Sequence, residues 1–343
     1  MMAAQSTILA LCLAAVAARQ TPAALRPAAL RVRGGSTAAE ENANARIEKL
    51  RRLGEDAGFV AALDQSGGST PKALADYGVE PSAYDGDEAM YDAVHAMRER
   101  IVESPAFDDR VLAAILFEKT MDRTFGGLPA PEYLWATKRC VPLLKCDKGL
   151  ESEVDGCQLM KDTPDLEALL ERAKKLGVAG TKMRSRIAAA NEAGIQAVVA
   201  QQFAMAKRIL KCGLCPIVEP EIDIRCPDKA LAEEMLLNAL HEALHALGDN
   251  EVVMLKLTLP ECDGLYSSCV MHPKVLRVLA LSGGYDRAEA THKLARNPGV
   301  IGSFSRALME GASQSMSDAD FDAHLETAVE TIRDASVNKV EED

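Results

Sequence analysis

The sequence lacks an excess of positive charge. Its 39 Lys and Arg stand against 51 Asp and Glu, a net charge of -12. That balance argues against general nucleic-acid binding. It does not argue against anionic small molecules, which a few local cations can hold. No linker divides the chain, and no fixed-period repeat or low-complexity block appears in its body. The nine cysteines are scattered through a chain too long to need covalent staples. They read as reduced thiols, mostly in the core. The apolar run at residues 8–18 is 11 residues long, too short to span a bilayer, so no membrane span is expected in the mature form. What is present suffices for a core: 343 residues, 48% hydrophobic and 26% charged, a balance that does not predict bulk disorder.

The first 39 residues contain no Asp or Glu and four arginines. Residues 8–18 have the character of a signal-peptide core, and 19–37 are rich in Arg, Ala, Pro and small residues, like a transit peptide. A signal followed by a transit-like segment resembles the two-part leaders of plastids bounded by extra membranes. No Phe follows the apolar core, where such leaders often carry one, so a mitochondrial or secretory leader stays open. Cleavage is expected between residues 38 and 44. Removing residues 1–39 takes away four positive charges and moves the net charge from -12 to -16. The expected division is a cleavable leader at 1–39 and one folded body at 40–343.

In that body eight short apolar runs recur, at 59–64, 111–117, 141–147, 178–184, 214–221, 251–260, 275–284 and 300–306. Helical patterns precede or separate most of them, at 43–52, 88–102, 165–176, 189–211, 229–247, 287–295 and 318–337. Runs of strand length alternating with amphipathic helices predict an α/β protein with a parallel sheet inside and helices outside. Eight such units fit a single (β/α)8 TIM barrel.

Lys256 interrupts the sixth run. Burial disfavours its charged form, a nearby cation would disfavour it further, and a neutral buried amine attacks carbonyls to form Schiff bases. Alternatively the ammonium snorkels to water from a strand end. The other runs also turn polar at their C-terminal ends: Asp64, Glu118, Lys145, Asp147, Lys182, Arg184, Glu219, Glu221, Ser282 and Arg306. Barrels of this class build their active site at that face, so one shared polar pocket is expected. Ser282-Gly283-Gly284 after the seventh run, and Gly302-Ser303-Phe-Ser305-Arg306 at the eighth, suit a phosphate. Glycine lets backbone amides approach an anion, and Arg306 adds a paired donor.

Several stretches together resemble class I fructose-bisphosphate aldolase, in its shorter bacterial and algal type. They are Ala-Leu-Asp64-Gln-Ser66-Gly-Gly, Leu-Lys145-Cys-Asp147-Lys148-Gly, Gly-Thr-Lys182-Met-Arg184, Pro-Ile-Val-Glu219-Pro-Glu221, Met-Leu-Lys256, Leu-Ser282-Gly-Gly284 and Ser303-Phe-Ser-Arg306-Ala-Leu. The resemblance implies roles. Lys256 would form the Schiff base with the substrate ketone. Lys182 would help keep it neutral and bind a substrate hydroxyl. Glu219 would act as acid and base, Glu221 would support that network, and Asp64 would take the hydroxyl proton that starts carbon–carbon cleavage. Ser282, Gly283, Gly284, Ser303 and Arg306 would hold one phosphate, with Ser66, Lys145 and Arg184 toward the other. The ligands would be a sugar bisphosphate and triose phosphates, with no metal and no cofactor, in a homo-oligomer. Two departures bear on proton handling. Longer members end in a tyrosine that reaches the active site, whereas this chain ends Val-Asn-Lys-Val-Glu-Glu-Asp343, and Gln65 stands where they carry an acid.

Two motifs point elsewhere. His241-Glu242-Ala-Leu-His245 spells a zinc-protease pattern, with two histidines on one helix face. A catalytic zinc needs a third protein ligand, and none is evident because His272 lies beyond another strand. Cys212-Gly-Leu-Cys215 has the spacing of a redox pair, but it joins a helix end to a buried strand, which favours packing.

Overall fold

The computed structural model describes residues 38–340, with side chains from Asn44 onward. The expected leader therefore lies outside the described residues, except that Ala38 and Ala39 begin the first helix. The eight apolar runs form eight strands: β1 (Phe59–Leu63), β2 (Val111–Leu116), β3 (Val141–Lys145), β4 (Gly180–Ile187), β5 (Cys215–Ile222), β6 (Val253–Thr258), β7 (Val275–Leu281) and β8 (Val300–Phe304). Each pairs in parallel with the next, and β8 returns to β1, which closes the barrel.

Side chains alternate between the two faces of each strand. Val60, Ala62, Ala113, Ile115, Val141, Leu143, Ile217, Met254, Leu279 and Ile301 form one apolar cluster that fills the interior. Their neighbours, such as Phe59, Leu63, Leu116, Met183, Leu255 and Val278, pack in a larger cluster against the outer helices. Both faces are dry, which is why these strands read as continuous apolar runs rather than alternating ones.

Helix α1 (Ala38–Glu55) closes the N-terminal end of the barrel. Its Leu50 and Leu53 join the interior cluster. Around them, cations meet backbone carbonyls: Arg46 Nη1 donates to Gly213 O at 2.6 Å, Lys49 Nζ to Gly177 O at 2.7 Å, and Arg277 Nε to Leu53 O at 2.8 Å. The polar pocket can therefore open only at the other end.

The outer helices are α2 (Gly86–Glu103), α3 (Leu166–Lys175), α4 (Glu192–Lys211), α5 (Lys229–His245), α6 (Arg287–Ala295) and α7 (Asp318–Val337). In α4 the buried residues Ile195, Val198, Val199, Phe203, Ala206 and Ile209 repeat at helical spacing, and the Asn191 side chain caps the start by accepting from Gly194 N. Among the described residues no helix is long and apolar enough to cross a membrane. Some elements carry no clear pattern in the sequence. A hairpin of Thr124–Phe125 and Leu128–Pro129 follows β2, and Cys157–Gln158 pairs antiparallel with the end of β4. Each is two residues long, too short to show a period.

Candidate active site

Four charged side chains meet inside the C-terminal end of the barrel. Lys182, Glu219 and Lys256 stand on the adjacent strands β4, β5 and β6, and Asp64 follows β1. Lys182 Nζ lies 2.8 Å from Asp64 Oδ2, as an aligned hydrogen bond, and 2.7 Å from Glu219 Oε2, as an ion pair without that alignment. Glu219 Oε1 lies 3.0 Å from Lys256 Nζ. Relative exposures are 8% for Asp64, 4% for Lys182 and 3% for both Glu219 and Lys256. Such burial is tolerable only for paired charges, and here two ammonium groups and two carboxylates alternate in one chain.

The pairing sets the protonation states. Burial pushes the Asp64 carboxyl up, but Lys182 and then Lys256 outweigh it and hold the group well below the usual carboxylate range. Burial pushes Lys182 down, yet Asp64, Glu219 and Asp147 outweigh it, and the ammonium is held above its usual range. The expectation that Lys182 acts on Lys256 as a bare neighbouring cation meets a different arrangement. Glu219 binds both ammonium groups, one through each carboxylate oxygen.

The expected site residues fall into three groups around this chain. Glu221 pairs with Arg184 on β4, not with the lysines; it sits one alternation further along β5 than Glu219. Lys145 donates to Asp147 Oδ1 at 2.6 Å and to Asp147 O at 3.0 Å. On the far side, Ser282, Gly283 and Gly284 follow β7, the glycines at φ +62° and +132°. A side chain at Gly284 would come within 3.4 Å of an Arg306 guanidinium nitrogen, so the loops after β7 and β8 meet there beside a cation. Ser303 Oγ is buried there without a hydrogen-bond partner. Ser66 caps the short turn Gly67–Ser69, its backbone nitrogen donating to Ser69 Oγ at 3.0 Å. Among the described residues no hydrogen bond joins Ser66 to Lys145 or Arg184. Glu118, grouped with the strand-end charges, leaves the pocket: it opens a short helix and pairs with Arg172 and, at 2.9 Å, with Lys148.

Two side chains behind the site, Gln202 and Arg98, carried no signal in the sequence, and a third, Gln65, stood out there only as a departure from the longer members. Gln202 of α4, fully buried, accepts from Glu219 N at 2.8 Å and fixes that residue's backbone. Arg98 of α2 is buried and donates to Gln65 O at 2.6 Å. Gln65 Nε2 in turn donates to Ser305 Oγ, tying the β1 loop to the β8 loop.

The zinc-like pattern lies apart from this pocket, on α5 outside the barrel. His272 is not out of reach, as its place in the chain suggested: its ring centroid is 6.2 Å from that of His241 and 5.3 Å from that of His245. One nitrogen of each helix histidine is already engaged, His245 Nδ1 with His241 O at 2.6 Å and His241 Nε2 with Ser268 Oγ at 2.8 Å. Among the described residues no group of three His, Cys, Asp or Glu could hold a metal ion. Cys215 is buried, with its sulfur 3.7 Å from Val252 O, and Cys212 is half-buried.

No family model matches the chain. Over 291 residues it is 56% identical to the class 1 fructose-bisphosphate aldolase of Synechocystis sp., an alignment covering 84% of this chain and 97% of that protein. The chain belongs to the class 1 fructose-bisphosphate aldolase family. A second relative, the class 1 fructose-bisphosphate aldolase of Porphyromonas gingivalis, is 51% identical over 291 residues, 84% of this chain and 99% of that one. In fold the chain is similar to the solved fructose-bisphosphate aldolase of Plasmodium falciparum, with a TM-score of 0.70 over 88% of this chain and 97% of that one, at 20% identity.

Proposed function

We propose that this chain is a metal-independent lyase that reversibly cleaves fructose 1,6-bisphosphate to dihydroxyacetone phosphate and glyceraldehyde 3-phosphate through a Schiff base on Lys256. The observation that carries the reading is the buried sequence Asp64, Lys182, Glu219, Lys256, in a barrel whose β7 and β8 loops bring Gly284 and Arg306 together. An amine can attack only when neutral. Glu219 Oε1, 3.0 Å from Lys256 Nζ, is placed to take the ammonium proton. The amine nitrogen then bonds to the ketone carbon, and a proton it sheds on bonding passes to the ketone oxygen, which becomes a hydroxyl. The same carboxyl returns its proton to that hydroxyl, which leaves as water and gives the iminium. Asp64, held ionised, accepts the proton of the hydroxyl on the fourth carbon. The bond between the third and fourth carbons breaks, its electron pair moves toward the iminium nitrogen, and the aldehyde departs. Lys182 supplies the fixed positive charge between the two acids, so that each can change protonation without a second buried anion going unpaired. Ser282, Gly283, Gly284, Ser303 and Arg306 would hold the phosphate on the ketone side, and Lys145, Arg184 and Ser66 the other. Glu221 would orient Arg184.

Borohydride reduction in the presence of dihydroxyacetone phosphate tests the assignment. The expected product is one covalent adduct, mapping to Lys256. An adduct on another residue, or none, would overturn the mechanism.

We further propose that residues 1–39 are a leader directing the chain to a plastid, where the enzyme would run toward condensation in the Calvin cycle, and that it works as a homo-oligomer. The acid-free, Arg-bearing leader supports the targeting, and the 56% identity to a Synechocystis protein fits a plastid setting. N-terminal sequencing of protein from the source cells checks it: the mature chain should begin between residues 38 and 44.

A further inference from the structure

Arg98 is 1% exposed although it lies within α2, in a stretch dense in charged residues. Nη1 donates to Thr120 Oγ1 at 2.6 Å, and Nη2 donates to the Gln65 carbonyl at 2.6 Å and to the Gln65 side-chain oxygen at 3.2 Å. None of these acceptors is a carboxylate. A buried guanidinium held by neutral oxygens is a costly arrangement, and what it holds is the residue that follows Asp64.

Its chemistry fixes the direction of everything beyond it. A guanidinium only donates, so the Gln65 atom facing Arg98 has to be the oxygen. The amide nitrogen is then the atom turned to Ser305, and the Ser305 oxygen accepts from it. A hydroxyl whose oxygen accepts at that point sends its own hydrogen elsewhere. Ser305 does not spend that hydrogen-bonding capacity on capping the short helix Arg306–Met309, and among the described residues no acceptor takes its hydrogen. Ser305 comes two residues after Ser303, whose hydroxyl is 2% exposed as a residue and also without a partner. Arg306 and Gly284 flank the same space.

We propose that Ser305 is a specificity-determining donor to the substrate phosphate, its hydroxyl aimed by the Arg98–Gln65 relay to where the β7 and β8 loops meet. Residue 65 then works as an amide, because an amide, unlike a carboxylate, accepts from Arg98 and donates to Ser305 at the same time. With an acid at 65, Ser305 would donate to the carboxylate and its hydrogen would be lost to the phosphate. Gln65 and Arg98 are positioning residues; Ser305 is the group that touches substrate. The inference rests on the aldolase reading above and extends it.

The test is borohydride trapping of the full chain with two ketones, dihydroxyacetone phosphate and dihydroxyacetone, which lacks the phosphate. Ser305→Ala and Gln65→Glu should each raise the half-saturating concentration of dihydroxyacetone phosphate by about tenfold or more, the scale of one hydrogen bond to a charged group. Trapping at saturation, and trapping of dihydroxyacetone, should stay within about twofold. The double variant should be no weaker than the single ones, because both remove the same contact. Ser305→Thr, which keeps the hydroxyl, should recover most of the affinity. Unchanged half-saturation in Ser305→Ala, an equal loss with dihydroxyacetone, or additive losses in the double variant would each overturn the inference while leaving Lys256 trapping intact. A wild-type chain that forms no Lys256 adduct would instead sink the aldolase reading, and this inference with it.

Discussion

Replacing Lys182 by methionine separates its two roles, because the side chain keeps its length and loses its charge. Lys182 is the cation between Asp64 and Glu219, at 2.8 Å and 2.7 Å. Without it, among the described residues, Asp64 has no direct cation partner and Glu219 keeps only Lys256. Removing one member of a buried ion pair costs about 3–5 kcal/mol, because the remaining charge stays desolvated and unpaired. At about 2.1 cal/mol/K of unfolding entropy per residue, over roughly 300 residues, that is a fall of about 5–8 °C in Tm. Adding Asp64→Asn removes the orphaned carboxylate with almost no change of shape. The double variant should therefore regain a large part of the lost Tm, a coupling expected of residues in direct contact. Activity should behave differently. Lys182→Met should lower kcat by about a hundredfold or more, on the scale of losing a charged group that acts in proton transfer, and the double variant should not recover it. Calorimetry and steady-state cleavage of fructose 1,6-bisphosphate supply the two readouts. Additive losses of Tm in the double variant, or a single variant within about 1 °C and twofold of wild type, would refute the idea that the charge chain holds both the fold and the chemistry.

The pH dependence of stability follows from the same pair. Asp64 is depressed in the folded state, so its contribution is present above the usual carboxylate value of about 4 and is lost as pH falls through the lower folded value. Lys182 is raised, so its contribution is present below about 10 and is lost as pH rises through the higher folded value. The Tm difference between wild type and the Asp64→Asn, Lys182→Met double variant should stay flat from about pH 5 to 9 and shrink only outside that window; a slope inside it would contradict the assigned charge states. The histidines of α5 supply a check on metal independence. Because His241 and His245 face Ser268 and His272 outside the barrel, His241→Ala and prolonged chelation should each leave cleavage activity within about twofold, and a chelator-sensitive loss restored by zinc would reopen the hydrolase pattern.

The barrel was legible because its strands are buried on both faces and turn polar only at one end. That is a property of single residues, which a sequence displays directly. The pairing within the site depends on parity and neighbouring strands, which it displays only in part. Lys256 alone could be a snorkelling lysine. What settles its environment is that Glu219 faces inward on the adjoining strand, at a level that lets one carboxylate reach lysines on both sides. Glu221 faces the same way but lies one alternation higher, and there its neighbour is Arg184. A list of strand-end acids does not distinguish those two levels. The misplaced acid has another cause. Strand β2 ends at Leu116, Phe117 stacks on Tyr91 of α2, and Glu118 opens a short helix that turns it toward Arg172. Arg98 was hidden for another reason. In a helix rich in charge, one more arginine is indistinguishable from the solvated ones, and only the return of the Gln65 loop over it removes it from water. Charged residues that come together at one end of the barrel can thus be found by their chemistry at strand ends, whereas those packed behind them are found only once the chain has closed around them.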